Sequence, residues 1–216
     1  MESQLRGGTR WKRFAVVMVP SVAATAAIGV ALAQGALAAS FSVSGQSFKV
    51  TADRLEGTGF SQYGAIDKGF TLEGKETAHP VAVSAFKKAT INNLCQSVVT
   101  PVGLPGLPSV SLILKAGGDK NKPVEAENLY IDIADLQADA TFNNIDIGVA
   151  AKDANKGPGI KPGEVANKQA NPFGFAQQAD TATLTGVKQT AWATTAGTFK
   201  LSGLKMSLAT GVKECY

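Results

Sequence analysis

Ester hydrolysis by a serine needs a nucleophile, a base to take its proton and donors for the oxyanion. The chain has one histidine, His79, and its nearest approach to a nucleophile elbow is Gly59-Phe60-Ser61-Gln62-Tyr63-Gly64. That stretch is one residue too long for G-x-S-x-G, and the surrounding pattern lacks the alternating parallel strands and helices that support such an elbow. Ser61 and His79 therefore form an incomplete pair that an Asp from elsewhere would have to finish. His79 stands before Pro80, between polar Thr77 and an apolar stretch, where it reads as a turn residue. The residues point away from an enzyme.

Asp132, Asp135, Asp139 and Asp146 invite a calcium reading. Yet Asp132, Asp139 and Asp146 fall opposite the apolar phase, where a strand puts its charges, and no EF-hand spacing is present. They read as a solvated face. No glycine loop that could cradle phosphate precedes a helix. A lone Cys pair with one distant His lacks zinc spacing. Neither metal nor cofactor is expected. Cys95 and Cys215 are instead suited to a disulfide, provided the chain matures in an oxidising compartment.

That proviso rests on residues 14–39, a run of 26 without charge, preceded by Arg6, Arg10, Lys12 and Arg13. About 20 apolar residues suffice to span a bilayer as a helix, and the cations hold the leading end in the cytoplasm. Ala36-Leu37-Ala38 and Leu37-Ala38-Ala39 resemble the small-x-small site cut by signal peptidase. Residues 1–38 therefore read as a signal peptide or membrane anchor, with cleavage favoured, and 39–216 as the exported domain. Four of the 21 cations and one of the 17 anions precede the cut, so the exported part is nearly neutral. This excludes the basic stripe that nucleic acid requires.

Alternation dominates the exported part and predicts a mainly β fold: a curved antiparallel sheet, sandwich or solenoid-like, after an N-terminal hydrophobic helix. Phe41–Ala52 alternates, and Leu55–Phe60 continues through glycines that suggest bulges. Phe70–Lys75 reads as a short strand, and Val81–Ala89 as a strand with a helical turn near Cys95. From Leu129 to Val149 the apolar phase slips at Ala134-Asp135 and at Asn143-Asn144. A slip within a strand would throw its core face to solvent, so each dipeptide reads as a turn. Ser202-Gly203 repeats the device. Residues 152–172, rich in Gly, Pro, Lys and Asn, read as a mobile loop anchored by Phe173-Gly174-Phe175.

The export segment, the Gly-punctuated phrase Phe48–Gly64, the Asp-rich stretch Leu129–Val149 and the terminal Lys213-Glu214-Cys215-Tyr216 together resemble an uncharacterised family of exported actinobacterial proteins. Some members carry the label cholesterol esterase, which implies hydrolysis of a sterol ester. This chain has no G-x-S-x-G and one His, so no catalytic residue carries over. The reading that results is a non-enzymatic cell-envelope protein, secreted or anchored, that binds a lipid-like apolar ligand. Val102, Leu104 and Leu107 of the Pro-Gly loop, with Phe173 and Phe175, are the expected contacts. Membrane or envelope lipid and an envelope protein are the expected partners. An esterase using Ser61 and His79 and a structural surface protein are the alternatives.

Overall fold

A computed structural model describes Met18, residues 43–103, Gly106 and residues 108–216. The N-terminal hydrophobic segment apart from Met18, the alternation at 41–42, and the expected contacts Leu104 and Leu107 lie outside the described residues. Residues 40–216 form a unit of their own. Among the described residues no helix is long and apolar enough to cross a membrane.

The unit is almost entirely β. Its strands are β1 (Phe48–Phe70), β2 (Glu76–Asn92), β3 (Leu94–Thr100), β4 (Val110–Ala116), β5 (Val124–Asn143), β6 (Asp146–Ala150), β7 (Phe175–Thr195), β8 (Thr198–Lys200) and β9 (Lys205–Thr210). The order is β6-β7-β5-β2-β1-β3-β4-β9, and β7 pairs again with β1. Every strand ladder is antiparallel. The sheet is rolled upon itself. Following partners from Phe48 through Ala191, Ile133 and Ala82 returns to β1 at Gly64, sixteen residues along the same strand. Strands of 17–23 residues far exceed the usual five or six, and such lengths must coil.

The coiling is concentrated at two creases. At the first, Thr58-Gly59, Lys87-Lys88, Glu127-Asn128 and Asp180-Thr181 lie side by side, and Gly59 and Asn128 have positive φ. On either side the core-facing residue is three positions along, not two: Gly57 then Phe60, Phe86 then Ala89, Ala126 then Leu129, Ala179 then Ala182, while Gly59 between the first pair is buried against Lys87 and Lys156 instead. The second crease repeats this with Ala52 and Leu55, Ile91 and Leu94, Leu184 and Val187, with positive φ at Asn93 and Gly186. Stepping three residues keeps apolar side chains inside while the sheet folds over. All the apolar members of these pairs join one core.

This geometry corrects several expectations. The slip at Ala134-Asp135 is a bulge within continuous β5. At Asn143-Asn144 the chain kinks, with Asn144 at φ 55°, but does not reverse: β5 and β6 follow the same edge of β7. Ser202-Gly203 does turn, yet joins β8 and β9, which pair with different neighbours. No helical turn forms near Cys95, where β2 bends at Asn93 into β3. Phe70 ends β1, and Thr71–Gly74 make the turn into β2.

Beyond β1, strands β3, β4 and β9 extend the sheet, and the C-terminal tail crosses it. Ser111 Oγ accepts from Lys213 N, Ser97 Oγ accepts from Cys215 N, and Cys95 is disulfide-bonded to Cys215. Lys49 pairs with Glu214 at 2.9 Å, and the Tyr216 hydroxyl lies 3.2 Å from Thr190 Oγ1.

Candidate functional site

Residues 151–174 are not a loop standing away from the fold. They fold back as a lid over one face of the sheet, burying Ala151, Ala154 and Ala170 against Tyr63, Val81, Val83, Tyr130 and Ala176. Backbone bonds fix both ends: Ala151 N donates to Gly174 O, Lys152 N to Pro172 O, and Ile66 N to Gln169 O. Gln178 Oε1 accepts from Asn155 N and Lys156 N, closing the middle.

Under the lid lies a polar cluster. Lys161 Nζ donates to both carboxylate oxygens of Asp132, at 2.5 and 2.6 Å, and stands 3.4 Å from Glu164. Tyr63 OH donates to Glu164 Oε2 at 2.8 Å and accepts from Lys161 N at 2.9 Å. Asp67 sits beside Asp132, and all four charged residues are more than nine-tenths buried. Lys161 Nζ also lies 5.8 Å from the Tyr130 ring centroid. Asp132, expected on a solvated face, is 1% exposed. The alternation was real, but the lid covers that face.

Burial sets the protonation behaviour here. It pushes the Asp67 carboxyl up to about 7, helped by the neighbouring Asp132 and Glu164 charges and opposed by Lys161. It also raises Asp132 and Glu164, against the pull of Lys161 on both. Burial carries the Tyr130 phenol to about 12 and Tyr63 higher still, with Glu164 adding to each. The cluster can hold and release protons, but it presents no reactive atom to solvent. No group of His, Cys, Asp and Glu among the described residues is arranged to hold a metal ion.

The structure does not bring the esterase candidates together. Ser61 faces the lid and is fully buried, and its Oγ has no hydrogen-bond partner among the described residues. His79 is no turn residue: it lies within β2 opposite Asp67, six residues along β1 from Ser61, about 20 Å at the usual rise per residue. Its ring stacks on Trp192 at 3.5 Å between centroids. A Cβ at Gly157 would collide with Ser61 Oγ and stand 2.5 Å from Ser61 N. Because one of those atoms is backbone, Gly157→Ala is expected to lift the lid and destabilise the domain by about 1–3 kcal/mol. Chemical denaturation measures the loss, and lid proteolysis should rise with it.

Of the expected ligand contacts, Val102 is exposed in the connection after β3, away in sequence and element from Phe173 and Phe175. Those two flank the lid's exit into β7. Phe173 is 75% exposed and Phe175 64%, and Ile147 of the adjoining β6 is 67% exposed. Ile147 pairs with Gln177, which shares a face with Phe175, so the two project together. Lys152 Nζ stands 5.5 Å from the Phe173 ring centroid. Along residues 165–172 of the lid a cleft of about 560 Å3 is lined by Ile66, Pro80, Val81, Val165, Lys168 and Pro172.

Sequence reasoning missed Lys161, Glu164 and Asp67. One signal was available: Asp132 interrupts Leu129-Tyr130-Ile131-Asp132-Ile133, a run apolar on both faces, which marks a strand covered on both sides.

Fold and site together define a rolled antiparallel β domain with a lidded polar cluster. Residues 44–216 match DUF6230, a family of unknown function, and the chain belongs to that family. No curated protein and no solved structure matches it.

Proposed function

We propose that the chain is an extracytoplasmic, non-hydrolytic cell-envelope protein whose β domain engages lipid through the ridge formed by Phe173, Phe175 and Ile147. The observation that carries this reading is the ridge itself: three large apolar side chains, each about two-thirds exposed or more, gathered at one sheet edge beside Lys152. Such clusters on soluble domains mark interaction surfaces, and aromatic side chains flanked by lysine suit the boundary between headgroups and acyl chains. The cleft beside Pro172, whose lining is apolar but for Lys168, Gln169 and Asn171 and the polar backbone, offers room for part of an acyl chain.

Export is supported by the four cations ahead of an uncharged apolar run and by the Cys95–Cys215 disulfide, a bond that persists outside the cytoplasm. The hydrolase alternative finds no support in the sealed Ser61 or in the distance to His79 along β1.

The pair of substitutions Phe173→Ser and Phe175→Ser tests the ridge. Both side chains are exposed, so folding should persist, while lipid recovered with the protein from its native envelope is expected to fall by about tenfold or more, as loss of two buried aromatic contacts implies. Equal lipid recovery from wild type and variant would remove the ridge from the account.

A further inference from the structure

One lysine faces three carboxyls beneath the lid. Asp67 points at Asp132 from β1; Tyr130 also faces the cluster from β5, and Tyr63 from β1. Lys161 and Glu164 approach from the lid, Gln169 flanks Ile66, and His79 stands opposite Asp67 on β2. Asp67 Oδ2 has no hydrogen-bond partner among the described residues. Both oxygens of Asp132 already accept from Lys161, and a carboxylate cannot donate. Two ionised carboxyls in contact repel, and the arrangement becomes favourable when one carries a proton and donates it to the other. The charge imbalance is then smaller as well: with Asp67 neutral, Lys161 faces two carboxylates, Asp132 and Glu164, instead of three, and Tyr63 OH donates to Glu164.

We propose that residues 151–174 form a proton-latched lid, held shut by a proton that Asp67 donates to Asp132, and that losing this proton frees the lid. The latch sits where release has leverage. Asp67 neighbours Ile66, whose N–H pairs with Gln169 O and whose carbonyl accepts from Gln169 Nε2, so repulsion at Asp67 acts on the bonds that join the lid to β1. Burial raises the Asp67 carboxyl to about 7, which places the release near neutral pH. The sign follows from the folded form holding this proton more tightly than the unfolded chain. The latch is fully closed in acid and lost as pH rises through that value. Opening would expose the apolar floor around Val81, Val83 and Tyr130 and uncouple the segment that carries Phe173. The latch rests on the lipid reading for its consequence, though not for its geometry.

Hydrogen exchange of the full-length chain in a neutral detergent tests it, following lid amides such as those of Asn155, Lys156, Lys161 and Gln169. After correction for intrinsic rates, lid exchange is expected to quicken by about tenfold or more between about pH 5.5 and about pH 8.5, while the rolled core stays protected. Asp67→Asn, which donates at every pH, should abolish the change. Unchanged lid protection in the wild type, or the same quickening in Asp67→Asn, would overturn the latch. If Asp67→Asn does not fold, the carboxyl 13C titration of Asp67 in the wild type decides. A midpoint near neutrality that coincides with lid loosening supports the latch, and a midpoint in the ordinary carboxylate range refutes it. No lipid takes part, so failure here leaves the ridge untouched, and failure of the ridge leaves this result standing.

Discussion

Lys161→Met is expected to lower the stability of the β domain by about 3–5 kcal/mol at neutral pH, because it strands Asp132 as a buried charge without its partner. Asp132 is 1% exposed and takes both of its strong donors from Lys161. The loss should shrink in acid. Burial already raises the Asp132 carboxyl against the pull of Lys161, so removing that pull raises it further. The variant then gains protons on folding, and its deficit is lost as pH falls through the raised value and grows as pH rises. Replacing both partners, Lys161→Met with Asp132→Leu, should recover most of the loss, since apolar side chains of similar size substitute well for a buried pair. Denaturant melts of the two single variants and the double measure this directly. Additive losses would mean that the two residues act separately, contrary to the contacts between them.

The second large effect concerns the tail. Cys95 and Cys215 are 120 residues apart, and opening that loop by Cys95→Ser with Cys215→Ser is expected to cost about 4–5 kcal/mol in the loop-entropy account. The structure adds a local consequence. The tail also holds Ser97 and Ser111 through backbone donors, and Lys49 and Thr190 through side chains. Without its covalent tie it should fray from the β3–β4–β9 extension first, leaving the four long strands paired until higher denaturant. Loss of protection in β4 and β9 ahead of β1 and β7 would show that order. A single transition at unchanged midpoint would contradict it.

How far the sequence could be read is decided at the creases. Alternation identifies strands because side chains point to opposite faces with period two, and β7 follows it between its creases. A slip in phase, however, has two physical causes: the chain reverses, or the sheet folds over and the core face advances by three. Ala52 with Leu55 and Ala126 with Leu129 belong to the second kind, and neighbouring strands must slip at the same level for it to work. That coincidence lies in the register, which one strand alone does not reveal. Asn143-Asn144 looks like a hairpin turn for the same reason, since Asn144 takes a positive φ at a kink as readily as at a turn.

The site was legible in parts. Pairing of the two cysteines follows from their number once export is assumed, whereas the cluster under the lid joins Asp67, Asp132, Lys161 and Glu164 across the rolled sheet and the lid, with no local spacing to announce it. The segment 152–172 has the composition of a free loop, yet Lys161 and Glu164 are charged residues that hold it down. Phe173 and Phe175 stood out because two aromatics close such a segment, and they project at its foot.

Native mass spectrometry of the protein taken from its own membrane and medium fractions, without reductant, tests the proposed engagement of lipid outside the cytoplasm. An oxidised chain carrying the mass of bound lipid is expected. A chain free of lipid in both fractions would contradict it.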